Sequence, residues 1–140
     1  MEPRKLRIVI WCGNAPNQKA LVNKIAGRFD VAGIVIDDHS SRKKKRKLIN
    51  LPGIVWDRFR FSRIYNAWSA LMKYYDSQFP GWPDAMKINV PDINSKETAL
   101  FTRELKPDLI VVSGTALIKE PLLSLPVSTG IINLHTGLSP

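Results

Sequence analysis

Apolar and polar positions form alternating blocks along the chain, and these blocks predict strands and helices in turn. Continuous apolar runs predict five strands, at Arg7 to Cys12, Val31 to Ile36, Met86 to Val90, Leu109 to Val112 and Gly130 to His135. Apolar residues at steps of three and four predict helices over Asn17 to Phe29, over Arg58 to Phe79, and from Asn94 to the residue before Pro107. Because strands and helices alternate, we predict an α/β fold with a Rossmann-like parallel sheet flanked by helices.

The composition indicates one globular domain, and the net charge favours an anionic partner. A chain of 140 residues with 44% hydrophobic and 24% charged residues excludes a wholly disordered or coiled-coil protein. The 21 basic and 12 acidic residues give a net charge of +9. This charge favours a phosphorylated metabolite, a polyglutamate tail or a nucleic acid as partner.

The basic residues are concentrated between residues 40 and 85. Six of them form the run Arg42 to Lys47, and the aromatic helix Arg58 to Phe79 follows. One interpretation is a solvated loop followed by a helix that packs on the sheet. The other is a basic and aromatic surface that binds nucleic acid, which makes a non-catalytic nucleic-acid-binding module an alternative function.

Several functional classes are not expected. No apolar run reaches the roughly 18 residues that a membrane span needs, and the segment behind Met1 to Lys5 does not have the pattern of a signal peptide. We therefore expect a cytoplasmic protein without a membrane partner. Cys12 is the single cysteine, so neither a disulfide framework nor a metal site is predicted. The sequence leaves the oligomeric state open.

The first candidate site is the polar segment from Gly13 to Gln18, directly behind the first strand, with Gly13, Asn14 and Asn17 as its candidate binding residues. Ligands of doubly wound sheets bind beyond the carboxyl ends of the strands, and a helix N-terminus attracts anions. The alternative is a plain turn in which Asn17 caps the helix.

The second candidate is the pair Asn133 and His135. Residues two apart in a strand share a face, so the two side chains should point the same way, at the end of what we expect to be an inner strand of the sheet. An amide can stabilise an oxyanion and an imidazole can move a proton, which suits acyl-type transfer. The alternative is a buried polar pair bonded to backbone. A third segment, Ser113 to Lys119, has small residues against which a flat ligand could lie.

These three segments together resemble the 10-formyltetrahydrofolate-dependent formyltransferases, whose members act on glycinamide ribonucleotide, methionyl-tRNA or amino sugars. Asn133 to Pro140 is similar to the family's signature of asparagine, apolar residue and histidine before a small-residue loop and proline. Lys106 to Gly114 resembles the strand before the folate-binding loop, and Gly13 to Asn17 resembles the acceptor-phosphate loop. In that loop, Ala15 and Pro16 replace the usual glycine and serine.

The resemblance implies roles for the candidate residues. Asn133 would stabilise the oxyanion as an acceptor amine attacks the formyl carbon, and His135 would polarise the formyl oxygen and assist proton transfer. The formyl donor would be 10-formyltetrahydrofolate, whose pterin would be bordered by Gly114, Ala116, Leu117, Ile118 and Lys119. The acceptor phosphate would be bound by Gly13, Asn14 and Asn17.

The resemblance also implies a domain description and a function. Residues 1–140 would form a formyltransferase N-terminal-type domain, with residues 40–85 as an inserted basic loop and aromatic helix. The family's catalytic aspartate follows the histidine by a few dozen residues, so the C-terminal part of the fold is expected to be missing and the activity of this chain low. The expected reaction is N-formylation of a small anionic amine, either phosphoribosylglycinamide-like in purine biosynthesis or an amino sugar. Formyltetrahydrofolate deformylase is a second alternative.

Overall fold

The computed structural model of the chain describes residues 5–38, 51–125 and 127–134. Within these ranges the five strands are β1 (Arg7–Gly13), β2 (Asp30–Asp37), β3 (Met86–Val90), β4 (Leu109–Ser113) and β5 (Gly130–Asn133). The α-helices are α1 (Pro16–Ala26), α2 (Leu51–Arg60), α3 (Ser62–Gln78) and α4 (Lys96–Leu105). The five predicted strands are confirmed, and β3 has its predicted bounds.

All described strand pairs are parallel, in the order β3-β2-β1-β4-β5. β1 lies at the centre, where Ile10 is paired with Ile34 of β2 on one side and with Val111 of β4 on the other. In chain order, β2 and β3 are added on one side of β1, and β4 and β5 are then added on its other side. The gap between β1 and β4 is therefore the topological switch point, where α/β sheets bind ligands.

Helices cover both faces of the sheet, as the continuous apolar strands predict. On one face α4 contributes Ala99 and Leu105 to a core with Trp11 and Val112. On the other face Val22 of α1 packs with alternate residues of the same strands, namely Ile8, Ile10, Cys12, Ile34, Ile36 and Val111. The predicted Rossmann-like fold is confirmed.

The aromatic segment differs from its prediction as one helix packed on the sheet. It forms two helices that meet at Phe61, and we call residues 51–78 the α2–α3 arm. The arm is attached to α1 rather than to the sheet. Lys19 Nζ donates to Asp76 Oδ1 at 2.7 Å, and Asn23 Nδ2 donates to the Gly81 carbonyl at 2.9 Å. The described side chains from position 55 to position 71 are all exposed.

Two predicted helix starts and one strand position are wrong. Ala15 is the N-cap of α1, so Asn17 lies inside the helix. Ser95 caps α4 by accepting a bond from the Thr98 N–H at 3.3 Å, whereas Asn94 precedes the cap. Among the described strands β5 is at the sheet edge, not inside it, and the second half of its predicted motif, from His135, lies outside the described residues. No helix in the described ranges has the length and apolar character that crossing a bilayer demands.

Candidate functional site

The carboxyl ends of β1 and β4 touch at two glycines. A Cβ atom on Gly13 would lie 2.5 Å from the carbonyl oxygen of Gly114, so no larger residue fits without movement of the backbone. Gly114 has φ of +68°, in the left-handed region that glycine adopts at low cost. The two glycines therefore form the floor of the crevice at the switch point.

A cavity of about 490 Å³ opens beside these glycines, on the α1 side of the sheet. The predicted substrate residues Gly13, Asn14 and Asn17 all line it, together with Gly114. Its remaining lining residues are Ala15, Gln18, Asp37, Asp38 and Trp68. Gln18 belongs to the first candidate segment, but Asp37, Asp38 and Trp68 were not singled out from the sequence, because their position depends on where β2 ends and how the α2–α3 arm folds back.

Two amide oxygens in this cavity have no partner within the described part of the chain. Asn17 Oδ1 and Gln18 Oε1 are buried and accept no hydrogen bond from it. Buried polar atoms are normally bonded, so each of these two oxygens has an unused capacity to accept a hydrogen bond. The Gln18 side chain also packs against Gly114, which leaves no space for a Cβ there.

The electrostatics of the cavity are mixed. The N-terminal end of α1 favours an anion, but Pro16 has no N–H, and the Gln18 and Lys19 N–H groups already bond to the Ala15 carbonyl. The acidic residues Asp37 and Asp38 also line this space, and of these Asp37 is buried with its Oδ2 bonded to the Ala116 N–H. Such a cavity suits a ligand with an anionic group at one end and amine or hydroxyl donors at the other.

The Gly114 to Lys119 segment is held in place by two side chains from other strands and loops. The Ala116 N–H donates to Asp37 Oδ2 at 3.1 Å, and the Lys119 N–H donates to Asn94 Oδ1 at 2.7 Å. Asn94 Nδ2 in turn donates to the Leu117 carbonyl at 3.0 Å. Several backbone groups expected to border a pterin are thus bonded within the protein, while the Leu117 side chain is 80% exposed.

Asn133 lies next to the same edge. It pairs in register with Val112, and the Leu134 N–H donates to the Val112 carbonyl at 2.8 Å. Ser113 Oγ fixes the strand end further by donating to the Leu134 carbonyl at 3.2 Å. Because the two residues are in register, Asn133 lies on the same face of the sheet as Val112. Ala116 and Ile118 pack against the apolar core on that face. His135 lies outside the described residues.

Cys12 is close to the crevice but has the properties of a core residue. Burial, and to a smaller extent the nearby charge of Asp37, raise the pKa of the Cys12 thiol to about 12. Because the thiolate is the nucleophilic form, a thiol with this pKa is inert near neutral pH.

Comparisons with known proteins support the fold. No family model matches the sequence, and no curated protein matches it. Among solved structures, the chain is similar to a phosphoribosylglycinamide formyltransferase from Anaplasma phagocytophilum, with a TM-score of 0.52 and 13% sequence identity. The similarity covers 98% of this chain but 52% of that one, so the chain spans about half the length of that enzyme. The chain therefore has a Rossmann-like fold of the formyltransferase type.

Proposed function

We propose that this chain belongs to an N-formyltransferase that moves the formyl group of 10-formyltetrahydrofolate to the amine of a small acceptor with a phosphate or nucleotide group. One observation carries the proposal. The segments around Gly13, Gly114 and Asn133, which resemble the formyltransferase motifs, meet at one edge of the sheet around its switch point. They are far apart in sequence, so this juxtaposition is a property of the fold.

At that edge, each face of the sheet suits one of the two substrates. The cavity with Asn14 and Asn17 is on the α1 side, and Asn133 shares the opposite face with Ala116 and Ile118. An acceptor in the cavity and a formyl donor along the 114–119 segment would meet where Gly13 touches Gly114. The space beside the two glycines is filled by the Gly114 carbonyl and the Gln18 side chain, so the amine and the formyl carbon would meet beyond the strand ends rather than between the glycines.

The acceptor proposal rests on the mixed polarity of the cavity. The N-terminal end of α1 would attract a phosphate. The carboxylate of Asp38 would attract the amine or sugar hydroxyls at the other end of the molecule, whereas Asp37 is buried and holds the Ala116 N–H. A nucleotide-linked amino sugar has all of these groups and also a flat base that could contact the exposed Trp68 ring. A phosphoribosylglycinamide-like acceptor has the phosphate, the hydroxyls and the amine.

The 114–119 segment has two properties that suit a flat formyl donor, an exposed apolar side chain and a rigid backbone. The exposed Leu117 side chain offers an apolar surface to a ring, and the bonds from Asn94 and Asp37 hold the segment rigid. Bound 10-formyltetrahydrofolate would supply an activated formyl group. The Asn133 amide would donate a hydrogen bond to the formyl oxygen, and we assign proton movement to His135 from its place in the sequence motif.

The test is a transfer assay with 10-formyltetrahydrofolate and a panel of amines that contains phosphoribosylglycinamide and nucleotide-linked amino sugars. We expect a formylated amine at the low rate that the resemblance implies for this chain, and a rate roughly a hundredfold lower still in Asn133→Ala and in His135→Ala. Asn66→Ala, an exposed asparagine on α3, is the matched control and should keep the wild-type rate. Formate release without any amine would indicate the deformylase reaction. Equal rates in all variants would contradict the assignment of Asn133 and His135.

A further inference from the structure

The α2–α3 arm exposes an unusual density of large apolar side chains. Nine of the 17 exposed large hydrophobic residues in the described chain fall within its 28 positions. Trp56 is 64% exposed and Phe59 is 78% exposed. The others are Val55, Phe61, Ile64, Tyr65, Trp68, Leu71 and Tyr74. Such a concentration of exposed large apolar side chains is typical of an interaction site, whereas an ordinary surface has them scattered singly.

The arm also carries a basic excess. Its 28 positions contain four basic and two acidic residues, a net charge of +2. On the arm itself Arg58, Arg60, Arg63 and Lys73 stand between the apolar residues. One of its acidic residues, Asp76, is already paired with Lys19 of α1. The surface is therefore complementary to an extended anionic partner.

We propose that the α2–α3 arm is a peripheral membrane-binding element that lies on an anionic phospholipid surface. Helices with tryptophan, phenylalanine and aliphatic residues beside arginine and lysine bind at the boundary between headgroups and acyl chains. Stable peripheral binding needs two contributions, and the arm supplies both buried apolar area and attraction to anionic lipid. This proposal departs from the expectation of no membrane partner, because that expectation rests on the lack of an apolar run long enough to span a bilayer and a peripheral contact needs no such run. It does not depend on the proposed transferase activity.

The arm's residues favour lipid over nucleic acid. Single-stranded nucleic acid binds in a basic groove with aromatic rings that stack on the bases. The arm consists of two consecutive helices, and Val55, Ile64 and Leu71 add aliphatic surface that has no ring to stack on a base. Acyl chains contact aliphatic and aromatic side chains equally well, so a bilayer uses the whole exposed set.

The attachment of the arm leaves this surface accessible. The described hydrogen bonds between arm and body lie at its C-terminal end, where Asp76 contacts Lys19. The side chains at positions 61–71 are exposed, and Trp68 among them also lines the cavity at Gly13 and Gly114. The N-terminal part of α3 and the described side chains of α2 could thus meet a flat surface without any change in the sheet.

The experiment is flotation of the 140-residue chain with vesicles of phosphatidylcholine, alone or mixed with phosphatidylglycerol. We expect binding to the mixed vesicles, weakened by salt, and at least about tenfold weaker for Trp56→Ser/Phe59→Ser because apolar area is lost. Replacing Arg58, Arg60 and Arg63 with glutamine should reduce binding to the mixed vesicles by a similar factor. The control Phe29→Ser/Leu100→Ser removes exposed apolar residues outside the arm and should bind like wild type.

Two further measurements keep the proposal falsifiable. Far-UV circular dichroism establishes that each variant is folded, and brominated lipids should quench the tryptophan fluorescence of wild type more than that of Trp56→Phe/Trp68→Phe. Failure of the folded wild type to bind mixed vesicles overturns the proposal. Binding of polyuridylate in that case would indicate a nucleic-acid partner, and a dimer that depends on Trp56 and Phe59 would indicate a second copy of the chain. Equal vesicle binding by the arm variants and the control variant also overturns it.

Discussion

Two tryptophans show how differently the sheet and the arm use the same side chain. Trp11 in β1 is 0% exposed, and its indole N–H donates to Thr102 Oγ1 of α4 at 3.1 Å. Trp56 in α2 is mostly exposed and its ring contacts Phe59 of the same helix, with ring centroids 6.5 Å apart. Both lie in apolar stretches of sequence, but only Trp11 has a second layer to pack against.

The difference lies in the layers around each residue. β1 is the central strand, so its side chains meet α1 on one face and α4 on the other. The arm is joined mainly to α1, and its apolar side chains extend beyond the last layer of the fold. Trp68 belongs to both regions, because it lies on the arm and lines the cavity at Gly13 and Gly114. The arm thus borders the candidate acceptor site without forming part of the core.

The largest effect should come from truncating the buried tryptophan. Trp11→Ala should lower the free energy of unfolding by about 3–5 kcal/mol, since it leaves a cavity and removes the partner of the Thr102 hydroxyl. Trp56→Ala should change it by no more than about 0.5 kcal/mol. Urea unfolding followed by circular dichroism measures both. Similar losses in the two variants would show that the arm is part of the core after all.

A smaller loss is expected at the floor of the crevice. Gly13→Ala forces its Cβ against the Gly114 carbonyl, so we expect a loss of about 1–3 kcal/mol in the free energy of unfolding. Gly81→Ala, just beyond the arm, is the matched control because nothing lies within 4 Å of its added Cβ. Thermal unfolding of the two variants tests this. If Gly13→Ala is as stable as Gly81→Ala, β1 and β4 are not in close contact at this point.

The buried thiol predicts a dependence of stability on pH. The pKa of Cys12 is raised from 9.0 to about 12 in the folded chain, so the folded state retains a proton that the unfolded state loses above pH 9. Stability should therefore fall as the pH rises above 9, by about 1.4 kcal/mol for each pH unit until the folded thiol itself ionises. Cys12→Ala should lack this component, and urea titrations at pH 8 and pH 10 compare the two. Parallel losses in both proteins would contradict it.

The sheet could be predicted from the sequence because its signals are local and mutually consistent. Each strand is a short apolar run, and the alternation with helices fixes parallel pairing through the rules for crossover connections. Even the meeting of Gly13 with Gly114 follows once β1 and β4 are neighbours. The helix starts were less predictable, since Asn94 and Ser95 are both good N-caps and only Ser95 has its side chain at the Thr98 N–H.

The rest of the site depends on tertiary contacts that no sequence pattern marks. Asn94 bonds to Leu117 and Lys119, more than 20 residues away. Asp37 ends a predicted strand, but its bond to the Ala116 N–H depends on the order of the strands. The arm was predicted to pack on the sheet because its apolar spacing is that of a buried helix. Periodicity identifies an apolar face but does not specify what covers it.

The smallest effect concerns the connection between the two regions. Lys19 is largely shielded, and its ammonium group donates both to Asp76 and to the Pro80 carbonyl, whereas Asp76 is mostly exposed. Partly exposed pairs contribute little, so Asp76→Asn should cost only about 0.2–1 kcal/mol in the free energy of unfolding. Lys19→Met should cost more, because it removes both bonds. If Asp76 acts only through Lys19, the double variant Lys19→Met/Asp76→Asn should be as stable as Lys19→Met alone.

A double-mutant cycle measured by urea unfolding gives the coupling energy. A value well above 1 kcal/mol would mean that the arm and the body form one cooperative unit, which would weaken the contrast between Trp11 and Trp56.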